Sequence, residues 1–221
     1  MHKIHFILAS KADKQKLVAE ILGLVKEYRG EYEIPEDGKL YKKYAMQNRF
    51  DTAEVVFIKK ILQRGLPARV RSEIINILFM RYVTDDEETF ASELYMDVTQ
   101  LQCMARHGME IGGHGYKHSW LETLSRDQQD DEIRRTLDFL TRVLGHKPTN
   151  WVMCYPYGSY NKVTIKLLKQ AGCALALTAD VGLVYDFSIP FELKRLDTND
   201  IPFSGDADIC QWTLQARQET G

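Results

Sequence analysis

Two histidines stand four residues apart, in Gly112-Gly113-His114-Gly115-Tyr116-Lys117-His118. If the loop takes a helical turn, this spacing lets both imidazoles converge on one divalent ion. Met109-Glu110-Ile111-Gly112 reads as a short strand, and Gly112-Gly113 lets the backbone turn tightly beyond it. The carboxyl ends of strands are where parallel α/β folds build their sites. Two ligands are an incomplete set, because a catalytic divalent metal normally has three protein ligands and an open position. A pair of surface histidines without metal is the other reading. A second segment, Trp151-Val152-Met153-Cys154-Tyr155-Pro156-Tyr157-Gly158, runs an apolar strand into a turn where proline stops pairing. It offers ring faces and a backbone amide to a substrate, or it is simply a strand followed by a turn. Trp120 follows the histidines and reads first as core packing, with a place against the site as the alternative.

The elements that must hold these residues divide by period. From Lys11 to about Gly108 the pattern is helical, with Leu17, Ile21, Leu24, Val25 and Tyr28 on one face between Asp13 and Gly30. Asp51 is expected to cap a helix over Thr52–Arg64 closed by Gly65, and Pro67 to open another with Val70, Ile74, Ile77, Leu78 and Tyr82 inward. Residues 30–48 read as a polar connector, and Val98–His107 as a further helix. Beyond Gly108 short apolar runs alternate with helices: Arg126–Leu144, Asn150–Tyr155, Lys162–Ala171, Ala174–Thr178 and Glu192–Leu196. Strand and helix in turn, with short joints, predict a parallel α/β architecture. The division is therefore a helical lobe over residues 1–95 and an α/β part over 96–221, packed together as one body.

Charge and composition remove several classes. Lys and Arg number 29 against 31 Asp and Glu, a net of −2, so the basic surplus of a nucleic-acid binder is missing. No apolar run approaches the roughly 20 residues of a membrane span. Ile4–Ala9, the longest run near the start, is too short for a signal-peptide core, which leaves a cytoplasmic placement as the expectation. Cys103, Cys154, Cys173 and Cys210 show no paired spacing and read as free thiols, with Cys173 buried. His2 and His5 read as packing or surface residues, His107 as the end of a helix, and His146 as part of a loop.

Gly108–His118 resembles the histidine motif of the polysaccharide deacetylases (NodB homology, carbohydrate esterase family 4), and Cys154–Gly158 is similar to that family's next motif. The resemblance covers roughly Met96 to Asp200. It implies an incomplete NodB-type distorted (β/α) barrel with a large helical N-terminal insertion. It implies metal-dependent hydrolysis of an N-acetyl group on a sugar or polysaccharide precursor, with His114 and His118 as two ligands. Zinc comes first as the metal, and cobalt, nickel or manganese suit imidazoles as well. Tyr157 matches the residue whose main-chain amide holds the oxyanion; Tyr155, Pro156 and Trp120 are the candidates, from their place in and near the aromatic turn, for binding the substrate.

The departures shape the expectation as much. The family opens on a strand ending in Thr-Phe-Asp-Asp, whose aspartates are the base and a metal ligand. The closest string here, Val83-Thr84-Asp85-Asp86-Glu87, follows a helix and reads as an acidic capping turn. Cys154 stands where an arginine often leads the second motif. In place of a late histidine the sequence has Arg195-Leu196-Asp197-Thr198-Asn199-Asp200, where Asp197 is a candidate for the chemistry or a substitute ligand, and an Asx-type turn is the plain reading. The chain is thus expected to be a C-terminal portion whose sheet has an open edge, covered by a homo-oligomer or by a missing N-terminal segment. The rival expectation is a non-catalytic carbohydrate-binding or interaction module, or the remnant of a disrupted deacetylase gene.

Overall fold

The computed structural model describes residues 2–219. The chain divides into two compact units, one ending at Tyr95 and the other beginning at Met96. The first unit is helical: α1 (His2–Ser10), α2 (Lys14–Glu27), α3 (Asp37–Tyr44), α4 (Ala53–Lys60), α5 (Ala68–Tyr82) and α6 (Glu87–Leu94). Its core follows from four-residue spacing. Leu17, Ile21 and Val25 on α2, and Val70, Ile74 and Leu78 on α5, are all buried in one cluster. Each such side chain contributes about 1.5–3 kcal/mol on leaving water. Asp13 caps α2 by accepting from the Lys16 N–H at 3.0 Å.

Four local expectations change in this unit. The run Ile4–Ala9 lies inside α1, with Ile4 and Ile7 buried, so it is a core helix. The polar connector contains α3, which buries Leu40 and is tied by Asp37 to Arg29 at 2.6 Å. Thr52, not Asp51, stands at the N-cap of α4, and the Asp51 carboxylate instead pairs with Lys59 at 2.7 Å. The helix ends in a π turn over Ile61–Gly65, where a Cβ on Gly65 would lie 2.8 Å from Ile61 Cδ1.

The second unit contains α7 (Val98–Arg106), α8 (Arg126–Leu144), α9 (Lys162–Gln170) and α10 (Gln211–Glu219). Its strands are β1 (Trp151–Cys154), β2 (Cys173–Val181) and β3 (Leu193–Arg195). These form a parallel sheet in the order β1-β2-β3, so the expected α/β class is what the structure shows. α9 supplies the crossover from β1 to β2 that a parallel pair requires. Trp151 pairs with Cys173 and Cys154 with Leu177, while Leu177 pairs with Leu193. Ser125 caps α8 in a reciprocal box with Gln128, and Gly145, at φ 79°, ends it. Under the sheet, Trp151 donates its indole N–H to the Ala171 carbonyl at 3.1 Å, and Tyr155 its hydroxyl to Phe191 at 3.0 Å. Cys173 is buried as expected, and burial pushes its thiol up to about 11. Among the described residues no helix is long and apolar enough to cross a membrane.

The strand expected at Met109–Gly112 is absent. The chain meets the sheet at one bridge, Gly113 to Met153. The approach there is too close for a side chain, since a Cβ on Gly113 would lie 2.7 Å from the Trp151 ring and 2.9 Å from the Thr136 methyl. Gly113→Ala is therefore expected to destabilise the second unit by about 1–3 kcal/mol. Gly23→Ala, in the α2 interior with nothing near its Cβ, is expected to stabilise the first by about 0.5–1 kcal/mol. Urea unfolding of both variants checks the opposite signs; a neutral Gly113→Ala contradicts the crowding.

Candidate metal centre

The site begins with the backbone of β1. Gly113 N–H donates to the Val152 carbonyl, and the Gly113 carbonyl accepts from the Cys154 N–H, both at 2.8 Å. His114 thus leaves from an anchored point. Its Nδ1 lies 2.8 Å from the Cys154 carbonyl. A carbonyl oxygen only accepts, so Nδ1 carries the proton, and in the neutral ring Nε2 keeps its lone pair. Metal-binding imidazoles are oriented in this way.

His118 reaches the same place without the helical turn expected for the spacing. Gly115 at φ 75° and His118 at φ 55° are both left-handed, and the segment is loop. Their curvature brings His118 Nε2 to 3.0 Å from His114 Nε2, with the rings edge to face. Two nitrogens at that separation fit one ion held at ordinary zinc–nitrogen distances of about 2.0–2.1 Å. The pair has the donor chemistry of an imidazole metal site. Among the described residues no third His, Cys, Asp or Glu joins it.

The second motif builds the wall. Tyr157 is left-handed, at φ 58° and ψ 11°, and its ring meets His118 edge-on at 4.7 Å and stacks on Trp120 at 4.4 Å. Trp120 is placed there by the turn Leu121–Thr123, where the Glu122 N–H donates to the buried Ser159 hydroxyl at 3.1 Å. The described non-glycine residues with positive φ are His118, Asn150 and Tyr157, and two of them meet at this site. Such backbone costs about 1–3 kcal/mol per residue and gathers where function over-determines geometry. Gly158, at φ 69°, completes the turn, and its Cβ would lie 2.6 Å from that of Ala179.

Tyr155 and Pro156 support the wall from behind. Tyr155 is buried, stacked on Tyr160 at 4.5 Å, and burial raises its phenol well above the usual range. Pro156 is buried, with Cγ 3.0 Å from where Gly115 would carry a Cβ. Asp197 caps the short turn Thr198–Asp200, accepting from the Asn199 N–H at 2.9 Å, and it does not complete a ligand set with the histidines. Asp86 caps α6 through the Thr89 N–H at 3.0 Å. Two contributors escaped the sequence reading. The Cys154 carbonyl is backbone, which no residue type signals. Glu132 on α8 touches the backbone of Tyr116 and Lys117, a contact that its place on a charged helix does not signal.

The Cys154 contact fixes an observable state. Long-range nitrogen–proton NMR of the neutral rings should show His114 protonated at Nδ1, against the Nε2–H form that predominates in free histidine. An Nε2–H signal for His114 contradicts the contact.

Known proteins resemble the segment that carries these residues. Residues 82–176 match the family model described as Polysaccharide deacetylase. YxkH of Bacillus subtilis (strain 168) is 29% identical over 83 residues, covering 38% of this chain and 29% of its own length. A peptidoglycan deacetylase of Helicobacter pylori is 24% identical over 111 residues, 50% of this chain and 33% of its own. The chain thus spans about a third of the length of these curated relatives. A family 4 carbohydrate esterase from Streptomyces lividans, solved with acetate, is 25% identical over 38% of this chain and 43% of its own, with a TM-score of 0.34. The deacetylase PplD of Streptococcus pyogenes, also solved with acetate, is 17% identical over 82% and 79%, with a TM-score of 0.44. The stretch that matches the polysaccharide deacetylase model, residues 82–176, contains both histidines and the Tyr-Pro-Tyr-Gly turn.

Proposed function

We propose that the chain serves metal-dependent removal of acetyl groups from N-acetylated sugars of a polysaccharide or its precursor. The observation that carries this reading is the meeting of His114 Nε2 and His118 Nε2 at 3.0 Å, with the His114 proton held at Nδ1 by the Cys154 carbonyl. These two imidazoles are the groups assigned to a divalent ion, zinc first. Such an ion supplies Lewis-acid polarisation of an amide carbonyl and a water acidic enough to react near neutral pH. The chain's own residues orient the substrate. Trp120 and Tyr157 form a ring wall beside the histidines, suited to the apolar face of a sugar. The Tyr157 backbone N–H is the donor assigned to the developing oxyanion. Tyr155 and Pro156 hold that turn against the core.

A second reading, a sugar-binding module without catalysis, is favoured by the ligand count. Among the described residues no carboxylate joins the pair, and Asp86 and Asp197 both act as caps. One experiment separates the readings. Zinc affinity and acetate release from an N-acetylated oligosaccharide are measured for the wild type and His114→Ala. The hydrolase reading expects zinc binding that falls at least about tenfold in the variant, and acetate release that depends on His114. Sugar binding without acetate release supports the module. Zinc affinity unchanged by His114→Ala overturns the ligand assignment.

A further inference from the structure

α8 buries three polar side chains on one face: Gln129, Glu132 and Thr136 are 1%, 4% and 6% exposed. Two of them serve local structure. Gln129 donates to the Leu124 carbonyl at 3.0 Å and accepts from the Thr164 hydroxyl at 2.7 Å. The Thr136 hydroxyl donates to the Glu132 carbonyl at 2.7 Å. Glu132 reaches out of its helix instead. Its Oε2 accepts from two successive backbone N–H groups, those of Tyr116 at 3.1 Å and Lys117 at 2.9 Å.

A carboxylate this buried costs several kcal/mol unless its charge is met by donors, and amide bonds to an anion are among the stronger ones. The two amides gain equally, because the segment between the histidines is irregular and its N–H groups have no ladder to join. The residues so held are those that lead into left-handed His118. The site therefore has two anchors. β1 holds His114 through Gly113 and the Cys154 carbonyl, and α8 holds the approach to His118 through Glu132.

We propose that Glu132 is the positioning residue of the histidine loop, holding the Tyr116–Lys117 backbone so that His118 Nε2 stays beside His114 Nε2, and so setting the pair's affinity for a divalent ion. This rests on reading the two histidines as metal ligands. Glu132 touches neither the ion nor a substrate; it acts through the loop.

The test is a Zn²⁺ and Co²⁺ titration of the full chain as wild type, Glu132→Ala, Glu132→Asp, Glu132→Gln and His114→Ala. It is joined to hydrogen exchange at the Tyr116 and Lys117 amides. Glu132→Ala and Glu132→Asp should weaken binding about tenfold or more, with both amides losing protection. Glu132→Gln keeps an acceptor oxygen and should recover most of both. If Glu132→Ala does not fold, the shortened Glu132→Asp carries the comparison. Wild-type affinity in the Ala or Asp variant, with binding lost in His114→Ala, overturns the positioning role and leaves the metal reading intact. A wild type that binds neither ion overturns the metal reading, and this proposal falls with it.

Discussion

The site depends on how closely the backbone at Gly113 approaches β1. Gly113 exchanges hydrogen bonds with Val152 and Cys154, and the Trp151 ring and Thr136 methyl fill the space a side chain would need. The same few atoms then orient His114. Cys154 uses its N–H on the Gly113 carbonyl and its own carbonyl on the imidazole of the next residue. A residue placed by two backbone bonds and a packed indole has little freedom. That permits an imidazole 40 residues away in sequence to be held in one tautomer.

Strain and support are arranged around that point. Gly115, His118, Tyr157 and Gly158 all take left-handed backbone, a conformation that glycine adopts readily and other residues adopt at a cost. The turn at Tyr157 is backed by Tyr155, whose ring lies in the core with its hydroxyl on Phe191. The histidine loop is backed by Pro156 and by Glu132. The burial of large aromatic side chains, about 1.5–3 kcal/mol or more each, is of the size needed to offset two strained residues.

Chemically the result is a pair of imidazole nitrogens that converge beside an aromatic wall. The carboxylates that could have completed the set lie in turns: Asp86 begins α6 and Asp197 begins the turn Thr198–Asp200. An aspartate that already accepts a capping N–H has a structural reason to be where it is.

What the sequence determined by itself was the content of the elements and the identity of the pair. The limits of α8 follow from its capping serine and closing glycine, the core rows of α2 and α5 from four-residue spacing, and the α/β class from alternating short strands and helices. The four-residue spacing of the histidines, set in glycine and followed by Tyr-Pro-Tyr-Gly, pointed to a site. The means of assembly was not legible. The expected strand before His114 is a single bridge, the expected helical turn is a left-handed loop, and a substrate-facing Tyr155 is a core residue. Only the tertiary structure decided that Trp120 stacks on Tyr157, that Cys154 acts through its carbonyl, and that Glu132 turns inward. The physical reason is common to all three. Spacing along a chain encodes which side chains share a face of an element, but a backbone acceptor or a buried carboxylate takes its meaning from what another element brings within 3 Å, a hydrogen-bond distance.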